Sequence, residues 1–253
     1  MIVPVWIIFA SSTHTSLFIN TNGLQFFLGD NFLENYSRVL YKKAGFFNEI
    51  TALKMFLNSF IMATGIATLS VVTSLMAAYA LVYFRIKYAS LFFWLIFITL
   101  LVPLELRIMP SYLVMSKLGL VNSYIGLILP ISASAIATFF FRQFYKSIPE
   151  ELLEAAKLDG TGSWKFFIDF LVPLSKTMIA AVFIFMFVFG YNQYLWPLIM
   201  TTTEQYWTVV MGLKTMYGSI SDRFAFVIMS MVPPVIIIIF LQRWFIQGIF
   251  QNK

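Results

Sequence analysis

An all-α membrane protein, a polytopic helical bundle with five complete transmembrane helices and a truncated first one, is the fold class this sequence predicts. Three observations carry the prediction. Of the 253 residues, 60% are hydrophobic and only 11% are charged, against about 25% in soluble domains. So few charges cannot cover a water-facing surface of this size. Apolar runs of spanning length recur along the chain, and in lipid only helices or closed barrels satisfy every backbone polar group; long unbroken runs select helices. Finally, one long polar interval, residues 147–173 (SIPEELLEAAKLDGTGSWKFFIDFLVP), interrupts the second half and carries its own helix signals.

Residues 1–10, MIVPVWIIFA, are apolar but short. They cover about 15 Å of a hydrocarbon core of about 30 Å. No basic segment marks them as a signal peptide, so they read as the outer half of a first spanning helix whose beginning is missing. Residues 11–51 are polar and read as a first exposed loop, with His14 solvated in it. Residues 52–84 form a span in which Asn58, Thr64, Gly65, Thr68 and Ser70 make a stripe suited to packing against neighbouring helices. RIKYAS, 85–90, is a short basic turn.

The span from 91 to about 109, LFFWLIFITLLVPLELRIM, carries Glu105 and Arg107 just after Pro103. Ionisable groups at membrane depth mark function, whereas near a helix end they snorkel to water. Residues 124–141 are the next span, with Ser132, Ser134 and Thr138. Residues 177–199 follow and end in GYNQYLWPL, where Asn192, Gln193, Tyr194 and Trp196 cluster. Tyr and Trp at a span end act as interface anchors, but the amides find no partner in lipid. Residues 200–223 read as an outer loop, and 224–241 as a last span interrupted by Pro233 and Pro234.

Within the polar interval, Ser147 or Ile148 caps a helix and Pro149 fits its first turn. Glu150, Glu151 and Glu154 lie near the positive end of its dipole, and Gly160 supplies the stop. Leu152, Ala155, Ala156 and Asp159 fall at i, i+3, i+4 and i+7, giving one apolar face of small residues. A free helix this short is marginal in water, so it needs a docking surface or the lipid surface to hold it. Ser163 caps a second short helix with Trp164, Phe167, Ile168 and Leu171 on one side.

There is no cysteine, no GxxxxGK[ST] loop, and no Ser/His/Asp, paired-carboxylate or metal-ligand constellation. The chain is therefore expected to be no enzyme by itself and to hold no cofactor. Its net charge of +6 is spread over short loops, which fits an anionic cytoplasmic leaflet better than nucleic acid. With the polar interval inside, Arg85, Lys87, Arg142, Lys146, Lys157, Lys165, Lys176, Arg243 and Lys253 are cytoplasmic, nine of seventeen basic residues on the shorter loops.

The polar interval resembles the cytoplasmic "EAA" loop of the integral membrane subunits of bacterial ABC importers, Glu-Ala-Ala, three residues, Gly, nine residues, Ile, one residue, Leu-Pro. Glu154, Ala155, Ala156, Gly160 and Pro173 stand at those spacings, with Phe170 and Val172 in place of Ile and Leu. The alternative on periodicity alone is an amphipathic helix on the lipid surface. PLELRIMP, PEELLEAAKLDG and FGYNQYLWPL extend the resemblance to the carbohydrate-importer permeases related to the maltose system, and among them to the second permease subunit of sn-glycerol-3-phosphate importers.

That resemblance implies a bundle of the type I ABC importer permease kind in a bacterial inner membrane, with residues 12–51 periplasmic and a coupling loop at 143–173. It implies a second permease subunit, two ATP-binding subunits that hydrolyse ATP, and a periplasmic substrate-binding protein. Glu154, Ala155, Ala156, Asp159 and Gly160 are the expected ATPase-docking residues, with Asp159 alternatively capping its own loop. For the substrate pathway the unusual polar groups are Glu105, Arg107, Asn192 and Tyr194, with Glu105 expected to steady Arg107. The implied substrate is sn-glycerol-3-phosphate, whose phosphate needs a cation such as Arg107. Another sugar or polyol is the alternative substrate, and a secondary transporter the alternative mechanism.

Overall fold

A computed structural model describes residues 2–41, 50–84, 86–158 and 160–250. Arg85, Asp159 and the tail 251–253 lie outside the described residues, as do the side chains of Ala155, Lys157 and Arg243. Among the described residues every regular element is helical, as composition and run lengths predict. In chain order they are α1 (Ile2–Ser12), α2 (Ser16–Asn22), α3 (Phe32–Tyr41), α4 (Ala52–Tyr83), α5 (Ala89–Ile98), α6 (Leu104–Lys117), α7 (Tyr124–Ile128) and α8 (Ala135–Lys146). They continue with α9 (Glu150–Leu158), α10 (Ser163–Phe166), α11 (Val172–Leu174), α12 (Lys176–Tyr191), α13 (Leu195–Met200), α14 (Val209–Thr215) and α15 (Ile220–Phe250).

Two helices are long and apolar enough by themselves to cross a membrane, α4 and α15, the latter over Ile220–Gln242. Three further pairs qualify when each bent pair is taken as one span: α5 with α6, bent by 105°, α7 with α8, bent by 50°, and the Ser163–Leu174 segment with α12, bent by 74°. This gives up to five spans, with α1 a shorter apolar helix. Pro103 and Pro130 lie beside the first two breaks, where a missing N–H and a fixed φ favour leaving the helix. Pro233 and Pro234 behave differently from expectation. They sit inside an unbroken α15, in keeping with the tolerance of proline in apolar spanning helices.

The chain folds as two compact units. The first comprises Met1–Ala63, Met115–Leu127 and Tyr191–Ile236. Its hub is Asn58, fully buried, whose Nδ2 donates to the carbonyls of Gln205 and Trp207, both at 2.8 Å. Its Oδ1 accepts from the Tyr124 hydroxyl at 2.7 Å. The buried Ser59 hydroxyl next to it accepts from Val209 N–H at 2.8 Å. Asn122 adopts φ 57°, a conformation asparagine tolerates better than most residues, and its Oδ1 accepts from the backbone N–H groups of Thr202 and Thr203.

Residues 11–41 of this unit form an ordered cap rather than a loop. Trp6 Nε1 donates to Phe26 O at 2.9 Å, and Asn35 Nδ2 donates to the carbonyls of Ser12 and His14. Ser12 and Tyr36 share a hydroxyl hydrogen bond of 2.9 Å. Burial pushes the Tyr36 phenol above its ordinary range, with that hydrogen bond pulling the other way, so it stays protonated as a bonding partner. His14 is engaged rather than merely solvated: its ring stacks on Phe18 at 4.9 Å and Nε2 lies 3.0 Å from Phe27 O. Residues 200–223, also read as a loop, contain α14 and the start of α15.

The second unit comprises Thr64–Val114, Ile128–Gly190 and Ile237–Lys253. Here two members of the α4 stripe, Gly65 and Ser70, meet neighbouring segments, whereas Thr68 is exposed. Ser70 Oγ donates to Ser132 O at 2.7 Å and Ser74 Oγ to Ser134 O at 3.3 Å. Gly65 faces Ile128 so closely that a Cβ would overlap its Cδ1. Arg142 turns its guanidinium over Phe93 at 3.9 Å from the ring centroid, a cation–π contact the sequence reading missed.

Candidate functional site

The polar interval is built from four short pieces. α8 ends at Lys146, and Ser147 closes it, its backbone N–H and hydroxyl both donating to Phe144 O, at 3.0 and 2.7 Å. Ser147 therefore serves α8 rather than capping α9. Pro149 directly precedes α9 and its carbonyl accepts from Leu152 N–H at 3.3 Å. At the other end Gly160 has φ 70° and Thr161 N–H reaches back to Ala156 O at 3.0 Å. That is the glycine-terminated arrangement in which the residue after the left-handed glycine satisfies a carbonyl of the last turn.

α9 has two faces of different character. Glu150, Glu154 and Leu158 follow one another at four-residue steps, so they share one side, and all three are exposed. Leu158 is 89% exposed, unusually so for a leucine. On the inner side Ala156 is 3% exposed and lines, with Leu153, a cavity of about 90 Å³ against Tyr79, Tyr83 and Phe166. The small side chain of Ala156 thus serves close approach of α9 to its own chain. Of the expected docking residues Ala156 therefore faces inward, while Leu158 stands on the outer side with Glu154; periodicity alone does not say which side faces inward.

The continuation also departs from simple periodicity. Ser163 is the first residue of α10 rather than its cap, which is Gly162, and the Ser163 carbonyl accepts from the Tyr79 hydroxyl at 2.7 Å. A π-helical turn, Phe167–Leu171, follows. The wider turn shifts the buried set to Phe166, Phe167 and Leu171, while Trp164 and Ile168 are 63% and 43% exposed. Such turns displace the side-chain register by a residue, which the expected 3.6-residue spacing does not contain.

Glu105 and Arg107 both lie on α6 and both are exposed. Among the described residues no ion pair joins them, contrary to the expected steadying of Arg107 by Glu105. Side chains two apart on a regular helix point to different sides, and α6 is continuous from Leu104 to Lys117 through Pro110. Arg107 lines a cavity of about 340 Å³ with Thr99, Pro103, Pro130 and Ser134, at the breaks of two bent pairs. Asn192 and Tyr194 belong to the other unit, in the non-helical link between α12 and α13. Asn192 is exposed and Tyr194 half-buried, with Lys214 Nζ 5.9 Å from the Tyr194 ring centroid. Trp196 is no interface anchor. It is 2% exposed and its indole N–H donates to Leu127 O at 3.1 Å.

Residues 70–251 match the family model of binding-protein-dependent transport system inner membrane components. The chain belongs to this family. It is a multi-pass inner-membrane permease of an ABC importer. Curated relatives agree along its whole length. It is 39% identical over 256 residues to the sn-glycerol-3-phosphate transport system permease protein UgpE of Brucella melitensis, covering 99% of this chain and 91% of the relative. The protein of the same name from Yersinia pestis bv. Antiqua is also 39% identical, over 260 residues, with 100% and 92% covered. Among solved structures, a bacterial ABC transporter involved in the import of the acidic polysaccharide alginate superposes with a TM-score of 0.81 at 22% identity, over 96% of this permease and 90% of that chain. This last likeness establishes the fold alone.

Proposed function

We propose that this permease carries sn-glycerol-3-phosphate inward across the inner membrane, driven by ATP hydrolysed in a separate subunit. The observation that supports the substrate is the full-length 39% identity to relatives named for glycerol-3-phosphate transport. The working complex contains a second permease subunit, two ATP-binding subunits and a periplasmic substrate-binding protein. Residues 1–11 are a first membrane segment, 12–51 lie on the periplasmic side, and 143–173 form the cytoplasmic coupling loop of the transmembrane domain 52–253.

In this reading the exposed edge of α9 meets the ATPase. Glu154 supplies a charged contact and Leu158 an apolar one, while Ala155 and Asp159 belong to the same short segment and Gly160 fixes where it ends. Ala156 seats α9 against the cavity lined by Tyr79, and the Tyr79 hydroxyl holds Ser163 of α10, so a displacement of α9 is passed to α4 and the segments that follow α10. Arg107 and Glu105 in one unit, and Asn192 and Tyr194 in the other, are the polar groups assigned to the pathway.

Uptake by proteoliposomes holding the four kinds of subunit tests the proposal. ATP-dependent accumulation of labelled sn-glycerol-3-phosphate, with a labelled neutral disaccharide left outside, is the expected result. Accumulation of the disaccharide alone would overturn the substrate assignment and leave the importer assignment standing.

A further inference from the structure

Two cavities adjoin in the second unit, and their linings differ in chemistry. The first, about 340 Å³, is lined by Arg107 and, besides Thr99 and Ser134, by apolar groups that include Phe185 and Phe189. The second, about 300 Å³, is lined by Thr73, Ser74, Ser134 and Thr138 together with Ala77 and Ile96. Thr99, Ala133, Ser134 and Ala135 line both, so the two spaces meet at the breaks between α5 and α6 and between α7 and α8. Each volume falls within the range of small-molecule sites, about 300–1,000 Å³.

The polar groups are disposed for a ligand with two unlike ends. Among the described residues no carboxylate pairs with Arg107, so its guanidinium retains its donors for an anion, in a fork that matches phosphate oxygens. At the other end Thr138 Oγ1 lies 3.2 Å from Ser74 Oγ and 3.0 Å from Ser134 O, and Thr99 Oγ1 donates to Ile96 O at 2.6 Å. With their protons directed into the chain, Thr99 and Thr138 keep lone pairs that accept from alcohol groups. We infer that these joined cavities are this subunit's share of a site for a small polyol phosphate, its phosphate at Arg107 and its hydroxyls against Thr99 and Thr138.

The inference rests on the substrate proposed above and adds where in this chain, and in which orientation, the substrate is held. The orientation favours an anion over a neutral sugar at the Arg107 end, since only an anion gives the guanidinium charge-assisted hydrogen bonds.

Because the chain has no cysteine, Ala133→Cys places one thiol of this subunit at the junction, and that position carries no hydrogen bond to lose. In the assembled complex, labelling of that thiol by a small maleimide is expected to slow at least about tenfold with sn-glycerol-3-phosphate, binding protein and ATP, and to be unaffected by glycerol. Arg107→Gln in the same complex is expected to cut uptake by about tenfold or more, the loss of a charge-assisted hydrogen bond, with Arg107→Lys recovering part of it. A complex that transports sn-glycerol-3-phosphate yet shows no protection at position 133 overturns the inference, as does unchanged uptake by Arg107→Gln. If the unsubstituted complex fails to transport the ester, the substrate proposal itself falls.

Discussion

Arg38 donates through both Nε and Nη2 to a single oxygen of Asp222, at 3.0 and 2.8 Å, and so ties α3 to the first turn of α15 across 184 positions of sequence. The Asp222 side chain is only 7% exposed. Its carboxylate gains from this cation and from its place at the positive end of the α15 dipole. A third donation, from Nη2 to Asn35 Oδ1 at 2.8 Å, fixes the guanidinium plane. Ser16 and Ser221 reinforce the same junction with a 2.6 Å hydroxyl contact.

Removing Arg38 leaves a buried carboxylate without its cation. Arg38→Gln is therefore expected to lower stability by about 1.5–3 kcal/mol, read as a lower melting temperature of the purified permease in detergent. The partner change Asp222→Asn removes the charge to be compensated and is expected to cost less. Equal losses would show that the pair acts through packing alone.

Asn58 makes three hydrogen bonds with both ends of its amide, all inside one unit. Asn58→Leu keeps the volume and strands two carbonyls and a hydroxyl, at about 1–3 kcal/mol for each group left unsatisfied. Loss of detergent-stable protein is the expected readout, with Asn58→Asp intermediate because it retains the acceptor side.

The exposed stripe of α9 makes a sharper prediction about coupling. Leu158→Asp is expected to weaken retention of the ATP-binding subunit in co-purification by about tenfold without lowering the melting temperature of the permease, since burying a charge at an apolar contact is costly whereas an exposed position tolerates it. Ala156→Leu should do the reverse and destabilise the permease itself by about 1–3 kcal/mol, through overpacking of the inner face.

Gly160 is held at φ 70° and a Cβ there would touch nothing, so substitution acts on the backbone alone. Gly160→Ala is expected to cost about 1 kcal/mol and Gly160→Asn less, measured as ATP-coupled uptake at rising temperature. Gly126 is the opposite case. A Cβ there would overlap Leu120 O, and Gly126→Ala should reduce the yield of folded permease.

Much of this was legible from residue order. Run length and charge scarcity specify the spanning helices, because lipid admits few other solutions. The α9 signals, Pro149, the glutamates and Gly160, act locally and were readable for that reason. What escaped was long-range. The cap of residues 11–41 depends on Arg38 meeting Asp222 and on Asn35 reaching Ser12 and His14, partners no local pattern reveals. The π-turn at Phe167–Leu171 breaks the period that put Trp164 and Ile168 on one side with Phe167 and Leu171. The fate of Pro233 and Pro234 depended on whether the surrounding apolar helix carries through, which a proline pair does not announce. The cavity at Arg107 arises only where two separate helix breaks come together.

The central claim is that transport is powered by ATP through a separate subunit. The direct measurement is sn-glycerol-3-phosphate accumulation in proteoliposomes of the assembled complex, with ATP on the side of the α9 loop or, in parallel, with no ATP and an imposed proton or sodium gradient. Accumulation with ATP alone, abolished when the ATP-binding subunits are omitted, is the predicted result. Accumulation driven by the gradient without ATP would contradict the account and place this chain among secondary transporters.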